Sequence, residues 1–107
     1  MKTSLSILLF TLALLLSLPG ATLADSPESG SALFQQHCAV CHPGGGNSIN
    51  PQYTLNRASM SSHGIKTAAD IVDKMRHPGP GMTRFSRQVI SNRDADKIAQ
   101  YILTTFK

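Results

Sequence analysis

Cys38-Ala39-Val40-Cys41-His42 holds both cysteines of this 107-residue chain, and a histidine directly follows the second. The spacing C-x-x-C-H is that of covalent c-type haem attachment. Two thiols about one helical turn apart reach the two vinyl groups on one edge of a porphyrin. The adjacent imidazole then meets the iron from one side of the ring. Cys38 and Cys41 are the expected thioether positions and His42 the expected axial ligand. Two other chemistries fit less well. A thioredoxin-like redox pair needs a βαβ pattern around C-x-x-C, and none surrounds this one. A structural zinc site needs four ligands, and only His37, His63 and His77 remain to complete it, at unsuitable spacing.

Upstream of the motif the chain opens as a targeting segment. Met1-Lys2 is a short positive start, Leu5 to Leu18 is a leucine-rich apolar run, and Pro19-Gly20 breaks it. Thr22-Leu23-Ala24 has the small-residue pattern of a cleavage site. The run is short for a membrane span. Residues 1–24 are therefore expected to be a cleaved signal peptide, with export to a bacterial periplasm and no stable membrane insertion afterwards. No cysteine directly follows the apolar run as a lipobox would require, so a lipid anchor is not expected.

The remaining residues, 25–107, make one small domain. A chain of that length buries a modest core, and such domains lean on disulfides, metals or cofactors. Its two cysteines would close only a trivial loop. A covalent haem instead supplies a large apolar surface that the unfolded chain cannot bury, and so stabilises the fold. Without Lys2 the domain carries nine Lys+Arg against six Asp+Glu, and two ionised propionates would bring the net charge to about +1. That excludes a nucleic-acid binder, which needs a clustered basic face.

The pattern beyond the motif is all-α, with three to five short helices around one covalent haem. A helix is expected from near Ser31 to Cys38, carrying Leu33 and Phe34. Gly44-Gly45-Gly46-Asn47 stops regular structure, and the glycines are expected to let backbone approach the haem edge. A short helix covers Leu55 to Ser62, ended by His63-Gly64. Thr67 and Asp70 form a capping box for a helix bearing Ile71, Val72 and Met75, which His77-Pro78-Gly79-Pro80-Gly81 ends. Ser91 and Asp94 repeat the capping signal, and Ile98, Tyr101, Ile102 and Thr105 fall along one face of the last helix.

The other side of the iron decides the chemistry. Methionine raises the haem potential, and an open site permits ligand binding. Met82 is the leading candidate for the sixth ligand. It follows the stiff Pro78-Gly79-Pro80-Gly81 turn and lies 40 residues beyond His42, ample chain to cross to the opposite face. His77 and His63 are the alternatives, whereas Met75 and Met60 read as core. His42 also needs an acceptor for its second ring nitrogen, expected among the carbonyls between Asn47 and Pro51. Arg84 and Arg87 flank Met82 and are candidates for a positive rim at the haem edge. A histidine near the haem, His63 or His77, is expected to couple proton uptake to reduction.

Together these residues resemble class I cytochromes c, and more narrowly the cytochrome c6 family. The likeness is greatest to the single-haem c6-like cytochromes of metal-reducing bacteria such as Geobacter. It is carried by Gly30-x-x-x-Phe34-x-x-x-Cys38-Ala39-Val40-Cys41-His42, by Gly44-Gly45-Gly46-Asn47 with Asn50-Pro51 and Thr54-Leu55, and by Pro78-Gly79-Pro80-Gly81-Met82-x-x-Phe85. Ala99-Gln100-Tyr101-Ile102 completes it. The resemblance implies thioether links from Cys38 and Cys41 and axial ligation by His42 and Met82. It also implies terminal helices packed through Gly30, Phe34 and Tyr101. The family shuttles single electrons between redox partner proteins, so the chain is expected to be a monomeric carrier and not an enzyme. Two functions of other classes compete: a ligand sensor or peroxidase-like enzyme with a labile sixth site, and a haem subunit of a larger oxidoreductase complex. The chain departs from the family at Thr83, where proline is usual, and at Ser86-Arg87, where Gly-Gly is usual.

Overall fold

The computed structural model describes residues 27–107, so the expected signal peptide lies outside the described residues. Four α-helices follow in order: α1 (Gly30–His37), α2 (Arg57–Ser62), α3 (Ala68–Arg76) and α4 (Asn92–Thr105). A single 3₁₀ turn, Pro43–Gly45, lies between α1 and α2. No strand occurs among the described residues. The expected all-α class, that of a small class I cytochrome c, is the observed one.

Each helix start has a local cause. The Ser29 hydroxyl accepts from the Ala32 amide and the Asn56 carboxamide from the Ser59 amide. Thr67 and Asp70 form the complete reciprocal capping box, and Ser91 accepts from the Asp94 amide. Such caps satisfy amides that the first helical turn leaves without partners. The helix of the second segment begins at Arg57 rather than Leu55, because Asn56 supplies the cap. His77 closes α3, its amide reaching the Asp73 carbonyl before Pro78 forbids continuation.

The core forms where α1 and α3 pack on α4. Leu33 and Phe34 of α1, Ile71 and Met75 of α3, and Ala95, Ile98, Ala99 and Ile102 of α4 are all buried. Met60 and Ile90 complete the cluster. Thr105, expected on the same face as Ile102, is exposed; α4 ends there and the face has already turned to solvent.

The crossing of α1 and α4 depends on Gly30. A Cβ there would collide with the carbonyl oxygen of Lys97. With the backbones this close, the Phe34 and Tyr101 rings meet at 5.3 Å between centroids. Phe106 joins them, 5.3 Å from Phe34 and 5.8 Å from Tyr101. Tilted aromatic contacts of this kind add to the burial itself.

Candidate haem site

A cleft of about 580 Å³ opens beside this core. Cys38, Cys41, His42 and Met82 all line it. So the two parts of the sequence separated by 40 residues converge on one cavity. The rest of the lining is largely apolar, with Leu55, Met60, Ile65, Ile71 and Met75 among its walls. Its size and apolar character are those of a cofactor site.

The motif itself is held by short local bonds. The amides of Cys41 and His42 both donate to the Cys38 carbonyl, at 3.2 and 2.9 Å, and the Ser48 amide donates to the Cys41 carbonyl at 2.9 Å. His42 Nδ1 lies 2.7 Å from the Gly46 carbonyl oxygen. A carbonyl only accepts, so Nδ1 carries the proton and Nε2 is left with its lone pair, the form in which imidazole binds a metal. The acceptor is thus Gly46, one residue before the stretch expected to provide it. The 3₁₀ turn Pro43–Gly45 brings that carbonyl back to the ring.

Within the glycine run, Gly45 has a packing role of its own. A Cβ on Gly45 would sit 2.5 Å from the Phe106 ring. Gly45 is also in the left-handed region at φ 82, where other residues are strained. Gly45 therefore admits the C-terminal aromatic Phe106 beside the motif, and none of the three glycines lines the cleft. Asn47 then fixes the following loop: its carboxamide oxygen accepts from the amides of Ile49 and Asn50, and its nitrogen donates to the Tyr53 carbonyl.

The thiols are free. Burial pushes the Cys38 thiol up to about 11, so it stays neutral at ordinary pH. Thiolate, not thiol, is the form that binds metal. Among the described residues no three His, Cys, Asp or Glu side chains converge as a metal cluster. Two thiols at the C-x-x-C-H spacing suit bonds from sulfur to a porphyrin edge. Two unpaired thiols, an imidazole with one nitrogen committed, a thioether and apolar walls together fit a covalent haem.

The remaining candidates separate cleanly. His63 lines the cleft, its Nδ1 2.8 Å from the Ser59 carbonyl oxygen and its ring 4.2 Å from that of Tyr53. His77 does not line it; its Nδ1 is 2.9 Å from Asp73 Oδ1 at the exposed end of α3. Met60 and Met75 are buried in the core, as expected, while also forming cleft wall. Arg84 and Arg87 are not at the cleft; both line an adjoining shallow recess. Phe85, between them, lines both the cleft and the recess.

One important residue was not singled out from the sequence. The Arg76 guanidinium, half-buried at the end of α3, donates to the carbonyls of Phe85 and Ile90 at 3.0 Å each and to Asn92 Oδ1 at 3.2 Å. It pins both ends of the segment that follows Met82. Burial, with the Arg87 charge nearby, lowers its pKa from the usual arginine value. Its only sequence signal is a basic residue in the last helical turn before the proline loop.

Fold and cleft together define a small class I cytochrome c with a single covalent c-type haem. Residues 25–102 match the family described as cytochrome C oxidase, cbb3-type, subunit III. The chain is 37% identical over 87 residues to cytochrome c6 of Synechocystis sp., covering 81% of this chain and 72% of that one. OmcF, outer membrane cytochrome F from Geobacter sulfurreducens, superposes with a TM-score of 0.72 at 44% identity, over 74% of this chain and all of that one. Cytochrome c6C from Synechococcus sp. PCC 7002 superposes with a TM-score of 0.67 at 25% identity, over 72% and 93% of the two chains. The chain belongs to this cytochrome c family and, within it, is a c6-like monohaem cytochrome, an electron carrier.

Proposed function

We propose that this protein is a periplasmic single-electron carrier whose haem iron is held between His42 and Met82. The observation that carries this reading is the convergence of the His42 imidazole and the Met82 thioether on one apolar cleft. The committed Nδ1 of His42 leaves Nε2 for iron. Methionine as the sixth ligand favours the reduced state and closes the iron to exogenous ligands. The haem supplies reversible one-electron chemistry; the chain supplies its orientation, its apolar surroundings and exclusion of water, and no substrate bond is made or broken.

Cleavage after Ala24 would release residues 25–107 as a soluble monomer. The start of the family match at residue 25 is consistent with that boundary, and among the described residues no helix is long and apolar enough to cross a membrane. Likeness to OmcF of Geobacter sulfurreducens favours a role in respiratory, metal-reducing electron transfer between redox partner proteins. The test is carbon monoxide added to the reduced native protein. A closed, six-coordinate iron refuses it. Rapid binding would instead support the sensor or peroxidase-like reading, which Thr83 beside Met82 motivates.

A second reading draws on the family description, that of an oxidase subunit. As such a subunit, the protein would remain bound in a larger complex. Size-exclusion chromatography of native extract separates the two: a free monomer supports the carrier, and co-elution with a large complex supports the subunit.

A further inference from the structure

A recess of about 270 Å³ is lined by Arg76, His77, Arg84 and Arg87 with Ser86 and Gln88, and Phe85 forms a wall shared with the haem cleft. Its charge is unbalanced. No acidic side chain is among its lining residues, and Asp73, beside it on α3, is already engaged with His77 at 2.9 Å. Arg84 makes no hydrogen bond or ion pair among the described residues, and Arg87 makes only a 3.3 Å hydrogen bond to Asn92 Oδ1. That same oxygen accepts from Arg76, so one neutral carboxamide sits between two guanidiniums. Gathering like charges without a counter-ion costs energy that nothing in the isolated chain returns.

The concentration is local. The mature chain's net charge is only about +1 once two propionates are counted, so overall attraction to an anion is weak. Three arginines on one recess nevertheless create a positive spot. Arg84 and Arg87 are exposed and present planar donors suited to paired contacts with carboxylates.

We propose that this arginine recess, which adjoins the haem cleft across Phe85, docks a carboxylate-rich surface of a partner protein. Only Thr83 separates Arg84 from Met82, so an acidic surface seated on the recess lies against the loop that presents the thioether. Arg76 belongs to both structures, since it lines the recess and pins Phe85 and Ile90. The proposal takes the partner to be a redox protein from the electron-carrier reading. The binding itself needs no electron transfer and no particular sixth ligand.

The test is isothermal titration of the holoprotein with hexaglutamate at low ionic strength, with inorganic phosphate as a second arm. The chain should bind hexaglutamate, and binding should weaken strongly as salt screens it. In the Arg84→Glu/Arg87→Glu variant the affinity should fall at least about tenfold. Lys66→Glu/Lys107→Glu changes the net charge equally at exposed positions elsewhere and should change it less than about threefold. Circular dichroism and the haem spectrum establish that each variant is folded, and Arg84→Gln/Arg87→Gln, which removes charge without reversing it, should give an intermediate loss. Equal losses in both charge-reversal variants would overturn the proposal in favour of net charge alone. Phosphate binding as tight as hexaglutamate would overturn it in favour of a small-anion site.

Discussion

The two sides of the cleft are built by different means. On the His42 side, residues 38–48 form a tight local lattice: five backbone bonds of 2.9 to 3.2 Å and the 2.7 Å contact from Nδ1 to Gly46. On the Met82 side, the loop closes with one long bond, Met82 amide to Gly79 carbonyl at 3.4 Å. Met82 is 37% exposed, against 3% for Met75 one helix away. The loop takes its position from outside itself, through the Phe85 amide donating to the Met75 carbonyl at 2.9 Å and through Arg76. The imidazole is oriented by its own neighbours, whereas the thioether is presented by a loop that α3 holds in place. The tunable side is therefore the methionine side.

The comparison predicts unequal responses to substitution. The largest is at His42: His42→Ala should yield no stable holoprotein, because fold and cofactor are linked. Haem staining and circular dichroism of the exported product would check this. Met82→Ala should still fold with haem, with a potential lower by on the order of 100 mV in a redox titration. An unchanged potential would remove Met82 as a ligand.

Arg76→Ala comes next. It strips three hydrogen bonds from a charged donor and should lower unfolding free energy by about 3 kcal/mol in a denaturant titration. It should also weaken Met82 features in the spectrum while leaving those of His42 intact. Asp70 gives a pH test remote from both sides. The amides of Lys66 and Thr67 hold its carboxyl below the ordinary carboxylate range. A lowered folded-state pKa stabilises the fold above the unfolded value, and that stability is lost as pH falls through the folded one. The Tm deficit of Asp70→Asn should thus be present at neutral pH and shrink on acidification.

The smallest effect is expected at Thr83. No hydrogen bond from the Thr83 amide occurs among the described backbone contacts, so Thr83→Pro loses none. Stiffening the loop should add about 0.5 kcal/mol, read as a modest rise in Tm. A larger change in potential than in stability would mean that loop stiffness sets the sulfur–iron contact.

What could be read from the sequence follows the same division. Caps at Thr67 and Ser91, the proline stop after His77 and the apolar positions of α3 and α4 depend on neighbours within a turn or two. Gly30, Phe34 and Tyr101 were legible through family resemblance, as one known crossing. The less legible features rest on contacts between distant segments or on exact turn geometry. Phe106 against Gly45 spans 61 residues, and Arg76 reaches 9 to 16 residues ahead. Gly46 became the acceptor for His42 because the 3₁₀ turn returns the chain one residue earlier than a plain loop would. Arg84 and Arg87 lie near Met82 in sequence, but they line the adjoining recess and not the cleft, with Phe85 shared between the two. The same folding also separates His63, which lines the cleft, from His77, which does not.

The central claim is that the loop-borne thioether of Met82 completes a site whose other half is His42. The absorption spectrum of the oxidised holoprotein tests it most directly. Sulfur bound to ferric iron gives a weak charge-transfer band in the far red. The account predicts that band in the native protein and its loss in Met82→Ala; a native spectrum without it would contradict the assignment.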